Sequence, residues 1–209
     1  TRDTTSGRQC VSAAVGGRPE GPFVDDSAGP LICPVELGGA IDASPFVGAD
    51  GSVVLLWKND GNAIGAPTTL WAQPMADDGL STAGEPRALL SNEREWEGAV
   101  VEAPSMIRHD GTHHLFYSAN AFDTERYAIG HATCDTPLGP CTRSAEGPWL
   151  ASGGRVSGPG GAEVFHNDLG DPWIVFHAWL DDDVGYAHGV RSLFAVRLDV
   201  DGGVPTPDL

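Results

Sequence analysis

The chain has 209 residues, enough for one sizeable core or for several small repeated units. It is 41% hydrophobic and 20% charged, with 28 Gly and 16 Pro, a composition that favours a turn-rich β protein over a helical one. A formal net charge of −17 repels phosphate backbones and argues against a nucleic-acid partner, and no apolar stretch approaches the length of a membrane span.

The elements come in a repeating order. Cys10 to Val15 reads as a strand that runs into a Gly21-Pro22 turn. Asp42-Ala-Ser-Pro-Phe-Val-Gly-Ala-Asp50-Gly51 then precedes the apolar run Ser52 to Trp57, which reads as a β-hairpin. Thr68 to Gln73 is expected as a third strand and Arg87 to Leu90 as a short fourth. Sixty residues after Asp42, Glu102-Ala-Pro-Ser-Met-Ile-Arg-His-Asp110-Gly111 precedes Thr112 to Tyr117, with Arg126 to Ala132 and Pro148 to Ala151 as the matching third and fourth strands. A weaker third copy runs from Glu163 to Gly170 and on to Phe176. The stretch Val11 to Pro22 also resembles Ile129 to Pro140, 118 residues further on, or two periods. Four antiparallel strands per repeat describe a propeller blade. A β-sandwich is the competing architecture, but it requires no sixty-residue period. About three and a half blades are legible, fewer than the roughly four a closed ring needs, so the ring is expected to be completed from outside this chain.

Cys134 and Cys141 flank the turn-forming Asp135-Thr-Pro-Leu-Gly-Pro140, and a disulfide there leaves Cys10 and Cys33 as a second pair. The alternative is four buried thiols. The even count and the absence of a C-x-x-C metal spacing favour disulfides and a secreted protein. The start at Thr1-Arg2-Asp3, with no Met and no signal peptide, fits a mature secreted chain or a fragment.

Innermost strands of successive blades face one another across a central channel, so Asp42 and Glu102, matched by the repeat, are expected to converge there. Converging carboxylates raise one another's pKa, which is what a general acid needs, and glycosidic cleavage uses such a pair. An acid that merely caps a turn is the plainer reading of either residue taken alone.

At this point the residues resemble glycoside hydrolase family 43. Ile41-Asp42-Ala-Ser-Pro-Phe46 is similar to that family's I-D-x-x-x-F segment, Val101-Glu102-Ala-Pro104 to its V-E-[AG]-P segment, and Gly158-Pro-Gly-Gly161 to its Gly-rich entry to the last blade. Leu56-Trp-Lys-Asn-Asp-Gly-Asn62 adds to the likeness, which runs from about Gly7 to Val200. The resemblance implies a five-bladed β-propeller, with residues 1–35 ending blade 2, 36–95 forming blade 3, 96–155 blade 4 and 156–209 blade 5. It implies an inverting glycosidase acting on arabinofuranosyl or xylosyl linkages of an oligosaccharide or polysaccharide, with Glu102 as general acid and Asp42 as the residue that tunes and orients it. The family's base is an Asp on the first blade, for which 41 residues before Asp42 leave no room; Asp25 and Asp26 sit in a Gly- and Pro-flanked loop poorly placed for that role. The partner implied is therefore the missing N-terminal segment of the same propeller, and the chain alone is expected to be inactive. A non-catalytic glycan-binding propeller that has lost its base is the alternative.

The resemblance also implies that Arg191 reaches the sugar pocket. Trp57 and Trp96 are candidate sugar platforms, since sugars present apolar C–H faces. No cofactor is expected. Many family members hold a central calcium through a His at the Gly-rich entry; here Gly160-Gly-Ala-Glu163-Val replaces it, leaving Glu163 or His166 as the nearest substitutes. His113 and His114 are adjacent and point to opposite faces of a strand, and His166, His177 and His188 fall on different elements. Asp181-Asp-Asp183 reads as a solvated loop, and Asp199-Val-Asp201-Gly-Gly203 lacks the rest of a calcium-loop pattern.

Overall fold

The computed structural model describes residues 1–200 and 203–208. Asp201 and Gly202, from the segment weighed above as a calcium loop, lie outside the described residues.

A two-residue pair, β1 (Val15–Gly16) and β2 (Phe23–Val24), leads into three four-stranded antiparallel sheets. The first is β3 (Ala40–Val47), β4 (Val53–Asn59), β5 (Thr69–Pro74) and β6 (Arg87–Ser91). The second is β7 (Val101–His109), β8 (Thr112–Ala119), β9 (Ala128–Cys134) and β10 (Cys141–Arg143). The third is β11 (Val156–His166), β12 (Pro172–Leu180), β13 (Arg191–Asp199) and β14 (Thr206–Pro207). Each sheet is a meander in chain order. Among the described residues the helical elements are three short 3-10 turns, and no helix is long and apolar enough to cross a membrane.

The period-2 alternation of side chains stacks the sheets. On β8, Leu115 and Tyr117 point to the first sheet and join Phe46, Leu56 and Leu70 in one core, while Phe116 points the other way and joins Ile174, Phe176 and Val196 of the third sheet. The middle sheet is thus covered on both faces, which is why β8 is buried along nearly its whole length. Sheets packed face to face in series, each with its first strand turned toward its neighbours' first strands, make a propeller and exclude a sandwich.

The hairpin turns follow the expected chemistry: Asp110 and Gly111 both have left-handed φ, 46° and 86°, as a two-residue β7–β8 turn requires. The two sequence copies 118 residues apart share a backbone. Both Gly21-Pro22 and Gly139-Pro140 are cis, and Val15↔Val24 pairs as Thr133↔Thr142 does. Both disulfides form, Cys10–Cys33 and Cys134–Cys141.

One expected boundary is corrected. The fourth strand of the second sheet is Cys141–Arg143, not Pro148 to Ala151, because the Cys134–Cys141 bridge turns the chain straight back so that Cys141 pairs with Cys134; Leu150 keeps only an isolated bridge to Ile129. In the third sheet the first strand runs Val156–His166, so the sequence copy that begins at Glu163 falls late in that strand and the Gly-rich segment is part of it.

Candidate active site

β7 packs against both β3 and β11, so the three first strands converge. Each carries a β-bulge at the same height. The ladders pair Ile41 with Lys58, Glu102 with Ser118 and Gly160 with His177, skip two residues, and resume at Ser44, Ser105 and Glu163. The second residue of each set, Asp42, Ala103 and Gly161, has a left-handed φ of 55°, 48° and 61°. Asp and Gly tolerate that region; Ala103 is there at a cost of about 1 kcal/mol or more.

This register corrects the alignment of the two acids. Glu102 lies on the rung of Ile41, and Asp42 on the rung of Ala103, so they are offset by one residue. Glu163, aligned with them by sequence, sits on the rung of Ser44 and Ser105. The hairpin turns explain the error: residues 48–52 separate Val47 from its partner Val53, but only Asp110 and Gly111 separate His109 from Thr112, so matching the copies at their Asp-Gly turns shifts the strands by one residue.

The acids nevertheless come together. The Ala103 N–H donates to Asp42 Oδ2 at 3.0 Å, so Asp42 holds the peptide that follows Glu102. The Tyr127 hydroxyl donates to Glu102 Oε1 at 2.6 Å, and Lys58 Nζ lies 3.5 Å from Glu102 Oε2. Lys58 is fully buried; it lies 3.7 Å from Asp60 and donates to Asn62 Oδ1 at 2.7 Å. A small cavity of about 190 Å³ is lined by Asp42, Ser44, Ala103, Pro104, Gly161 and Glu163.

Burial pushes Glu102 above the ordinary carboxylate range; the Tyr127 hydrogen bond and the Lys58 charge pull it partly back, and the Asp42 charge adds to the rise. Asp42 is raised as well, chiefly because protein surrounds its carboxylate although water reaches it from the open end; the Ala103 amide and Lys58 oppose the shift and Asp60 adds to it. Desolvation, more than mutual repulsion, sets both.

Tyr127 and Lys58 were not singled out from sequence. Lys58 carried a signal: a lysine directly after the buried run Val53 to Trp57 needs anionic partners. Tyr127 gave none, since it depends on Gly160, where a Cβ would run into the Tyr127 ring. Gly161 is needed likewise, because a Cβ there would meet His177 Nε2. The Gly-rich segment is therefore a clearance for two rings beside Glu102.

Arg191 reaches this wall. Its Nε donates to His177 Nδ1 at 2.6 Å, its Nη1 to the Phe122 carbonyl at 2.9 Å and its Nη2 to the Gly158 carbonyl at 3.4 Å. The guanidinium lies 4.9 Å from the Trp179 ring centre and 5.7 Å from that of Tyr127. It straps loops together beside the pocket.

Trp57 is corrected as a platform: it is 2% exposed, stacked on Trp71 at 5.5 Å and packed with Ile32 and Ala40, leaving no ring face for a sugar. Trp96 is half-buried against Tyr117 and lines a separate cavity with Arg94, Asn120 and Arg126. Asp25 accepts from the Ser27 amide and hydroxyl on an exposed loop. His113 meets Phe46 and His114 meets His131, on opposite faces of β8. His166 stacks on His109. Among the described residues no three His, Cys, Asp or Glu side chains gather as a metal-binding group, and Glu163 instead accepts from Ser44 Oγ at 2.7 Å.

The chain is 26% identical over 184 residues to the β-D-galactofuranosidase xynD of Aspergillus niger, covering 88% of this chain and 50% of that protein. It thus spans about half the length of that curated relative. Its fold superposes on a crystal structure of a thermostable family-43 glycoside hydrolase with a TM-score of 0.86 and 27% identity, covering all of this chain and 69% of the other. The endo-1,4-β-xylanase structure from Bacteroides thetaiotaomicron gives a TM-score of 0.78 at 29% identity, covering 95% and 67%. These matches make the three sheets part of a five-bladed propeller. The model of the glycosyl hydrolases family 43 matches residues 1–205, and the chain belongs to that family.

Proposed function

We propose that the protein serves as the acid-bearing part of an inverting glycosidase acting on arabinofuranosyl or xylosyl linkages of plant-type or cell-wall polysaccharides. The xylanase supports the xylosyl part of that range, and the galactofuranosidase shows that a relative acts on another furanoside. In this reading the three four-stranded sheets are blades 3, 4 and 5, and the two disulfides fit a secreted protein.

The observation that carries the reading is the environment of Glu102. Its carboxyl is held protonated beyond the ordinary range by burial and oriented by Tyr127 and Lys58. Glu102 delivers its proton to the glycosidic oxygen as the bond breaks, and the resulting carboxylate is stabilised by Lys58 and the Tyr127 hydroxyl. Asp42 fixes the peptide after Glu102 and adds negative charge that favours the protonated acid. The opposite face of the sugar needs a base about 6.5–9.5 Å from the acid, with a water between them. Asp60 is tied to Lys58, Glu163 to Ser44 and Asp25 to Ser27, so we assign the base to the N-terminal part of the propeller, outside these residues.

Hydrolysis of nitrophenyl arabinofuranoside and xyloside tests this, using the chain alone and the chain supplied with that N-terminal segment. Turnover with inversion only in the supplied form, lost by 10³-fold or so in Glu102→Gln, is expected. Retention of anomeric configuration, or full activity of Glu102→Gln, rejects the assignment. Saccharide binding without turnover in the supplied form favours a glycan-binding propeller.

A further inference from the structure

Two aromatic rings stand exposed on neighbouring loops that Arg191 and Tyr127 link to Glu102. Phe122 is 46% exposed and Tyr186 is 73% exposed, with ring centres 6.3 Å apart and planes at 65°. They come from different sheets: Phe122 from the loop between β8 and β9, Tyr186 from the loop between β12 and β13. Neither ring belongs to a buried core cluster.

Both loops are held in place. In the first, Asn120 Nδ2 donates to the Trp96 carbonyl at 2.9 Å, and Ser152 Oγ donates to the Glu125 carbonyl at 2.6 Å. Gly158 packs so closely on the Thr124 carbonyl that a Cβ has no room. In the second, the Gly189 N–H donates to the Gly185 carbonyl at 2.8 Å, and the Leu180 N–H to the Val190 carbonyl at 3.0 Å. Gly189 lies against Trp179, and Tyr186 sets its ring edge-on to Trp179 at 5.2 Å. Arg191 couples the loops: it donates to the Phe122 carbonyl and lies over Trp179. Through Tyr127, on its other side, it connects to Glu102.

Preorganised, exposed aromatic faces suit a ligand with apolar C–H faces and polar edges, and holding them ready removes the ordering cost of binding. We propose that Phe122 and Tyr186 form a stacking step for a second sugar unit of the substrate, next to the unit held at Glu102. The proposal rests on the glycosidase reading and deepens it: the substrate is an oligosaccharide or polysaccharide, and a single sugar cannot engage the step. Arg191 is a positioning residue that keeps the two halves of the step in register.

The test is a titration of the chain with arabino- and xylo-oligosaccharides of increasing length, from the monosaccharide up, followed by ligand-observed NMR. In the wild type, affinity rises when the second sugar is added. Tyr186→Ala and Phe122→Ala each remove about fivefold to tenfold of that rise and leave monosaccharide affinity unchanged. Tyr186→Phe restores it, which separates stacking from loop collapse. A length dependence identical in wild type and both alanine variants overturns the step while leaving the glycosidase reading intact. Absence of binding by the wild type at every length overturns the step, while the glycosidase reading is judged separately by turnover of the form supplied with the N-terminal segment.

Discussion

Asp42 and Ala103 occupy the same rung of adjacent sheets, and the Ala103 N–H donates to Asp42 Oδ2 at 3.0 Å. Asp42 therefore touches the peptide linking Glu102 to Ala103. Its position and its charge can be separated by mutation.

Asp42→Asn keeps an acceptor for Ala103, and Asn tolerates the φ of 55°. It removes the negative charge that helps to raise Glu102. The Glu102 carboxyl is therefore expected to titrate at lower pH in Asp42→Asn than in the wild type, read by carbon-13 carboxyl NMR. Asp42→Ala loses the hydrogen bond as well and broadens the Glu102 resonance. An unchanged Glu102 titration in Asp42→Asn contradicts the electrostatic role.

Tyr127 and Lys58 act in the opposite direction. Both favour the Glu102 carboxylate, so Tyr127→Phe and Lys58→Met are each expected to raise the Glu102 pKa further. Tyr127→Phe deletes one hydrogen bond and costs about 1–2 kcal/mol of stability. Lys58→Met breaks a buried ion pair and costs about 3–5 kcal/mol, tempered where Glu102 takes up a proton. Carboxyl NMR and thermal melts together check both signs.

How much of this was legible in the sequence depended on what each feature needs. The sixty-residue period, the hairpins and both cystines are local patterns, and they appear as read. The two acids were legible as residues but not in register, because the β3–β4 turn holds five residues and the β7–β8 turn two, so copies matched at their Asp-Gly turns leave the strands one residue apart. Trp57 was misread because Ile32, 25 residues earlier in the chain, helps to cover it. Tyr127, His177 and Arg191 form one wall only after Gly160 and Gly161 bring β11 close, a tertiary event with no periodic signature.

Glu97 is a structural acid whose pH behaviour is opposite to that of Glu102. It is fully buried; burial alone raises it, but Arg143, the Arg94 and Glu93 amides and the Tyr117 hydroxyl outweigh that and leave it below the ordinary range. Arg143 Nε donates to it at 2.7 Å and Tyr117 at 2.8 Å, tying β8 and β10 to the turn before β7. A depressed folded pKa gives stability that is present above the unfolded carboxylate pKa and lost as pH falls through the folded one. Glu97→Gln is expected to cost about 3–5 kcal/mol at neutral pH. The gap from wild type narrows in acid, as melts from pH 7 downward will register.

The two cystines close loops of different length, with sequence separations of 23 for Cys10–Cys33 and 7 for Cys134–Cys141. Loop entropy assigns about 3.5 kcal/mol to the longer and about 2.5 kcal/mol to the shorter. The double variant Cys10→Ser, Cys33→Ser should therefore melt lower than Cys134→Ser, Cys141→Ser, and a reductant should lower the wild type toward the combined loss. Equal melting of both variants rejects the loop-length ranking.

His131 supplies a second, separate acid sensitivity. It is buried on β9, with its Nε2 3.1 Å from His114 Nδ1, its Nδ1 2.7 Å from Ser144 Oγ and the Phe116 ring beside it. Burial, followed by the neighbouring His114, lowers its pKa to about 3. In the unfolded chain an imidazole titrates near 6.5, so below that pH only the unfolded state takes up the proton. Stability from a neutral buried His is full above about 6.5 and falls as pH drops, by up to about 1.4 kcal/mol per unit, until the folded group also protonates. The wild-type melting temperature should therefore decline between about pH 6.5 and 4.5, ahead of most carboxylate protonation. His131→Gln stays neutral and can still meet Ser144 and His114; it should melt lower at pH 7.5 yet lose less on acidification. The His131 ring resonances should not move over the same range. A titrating His131, or equal pH slopes in the two proteins, overturns the assignment to His131 and leaves His114, which burial also lowers, as the source.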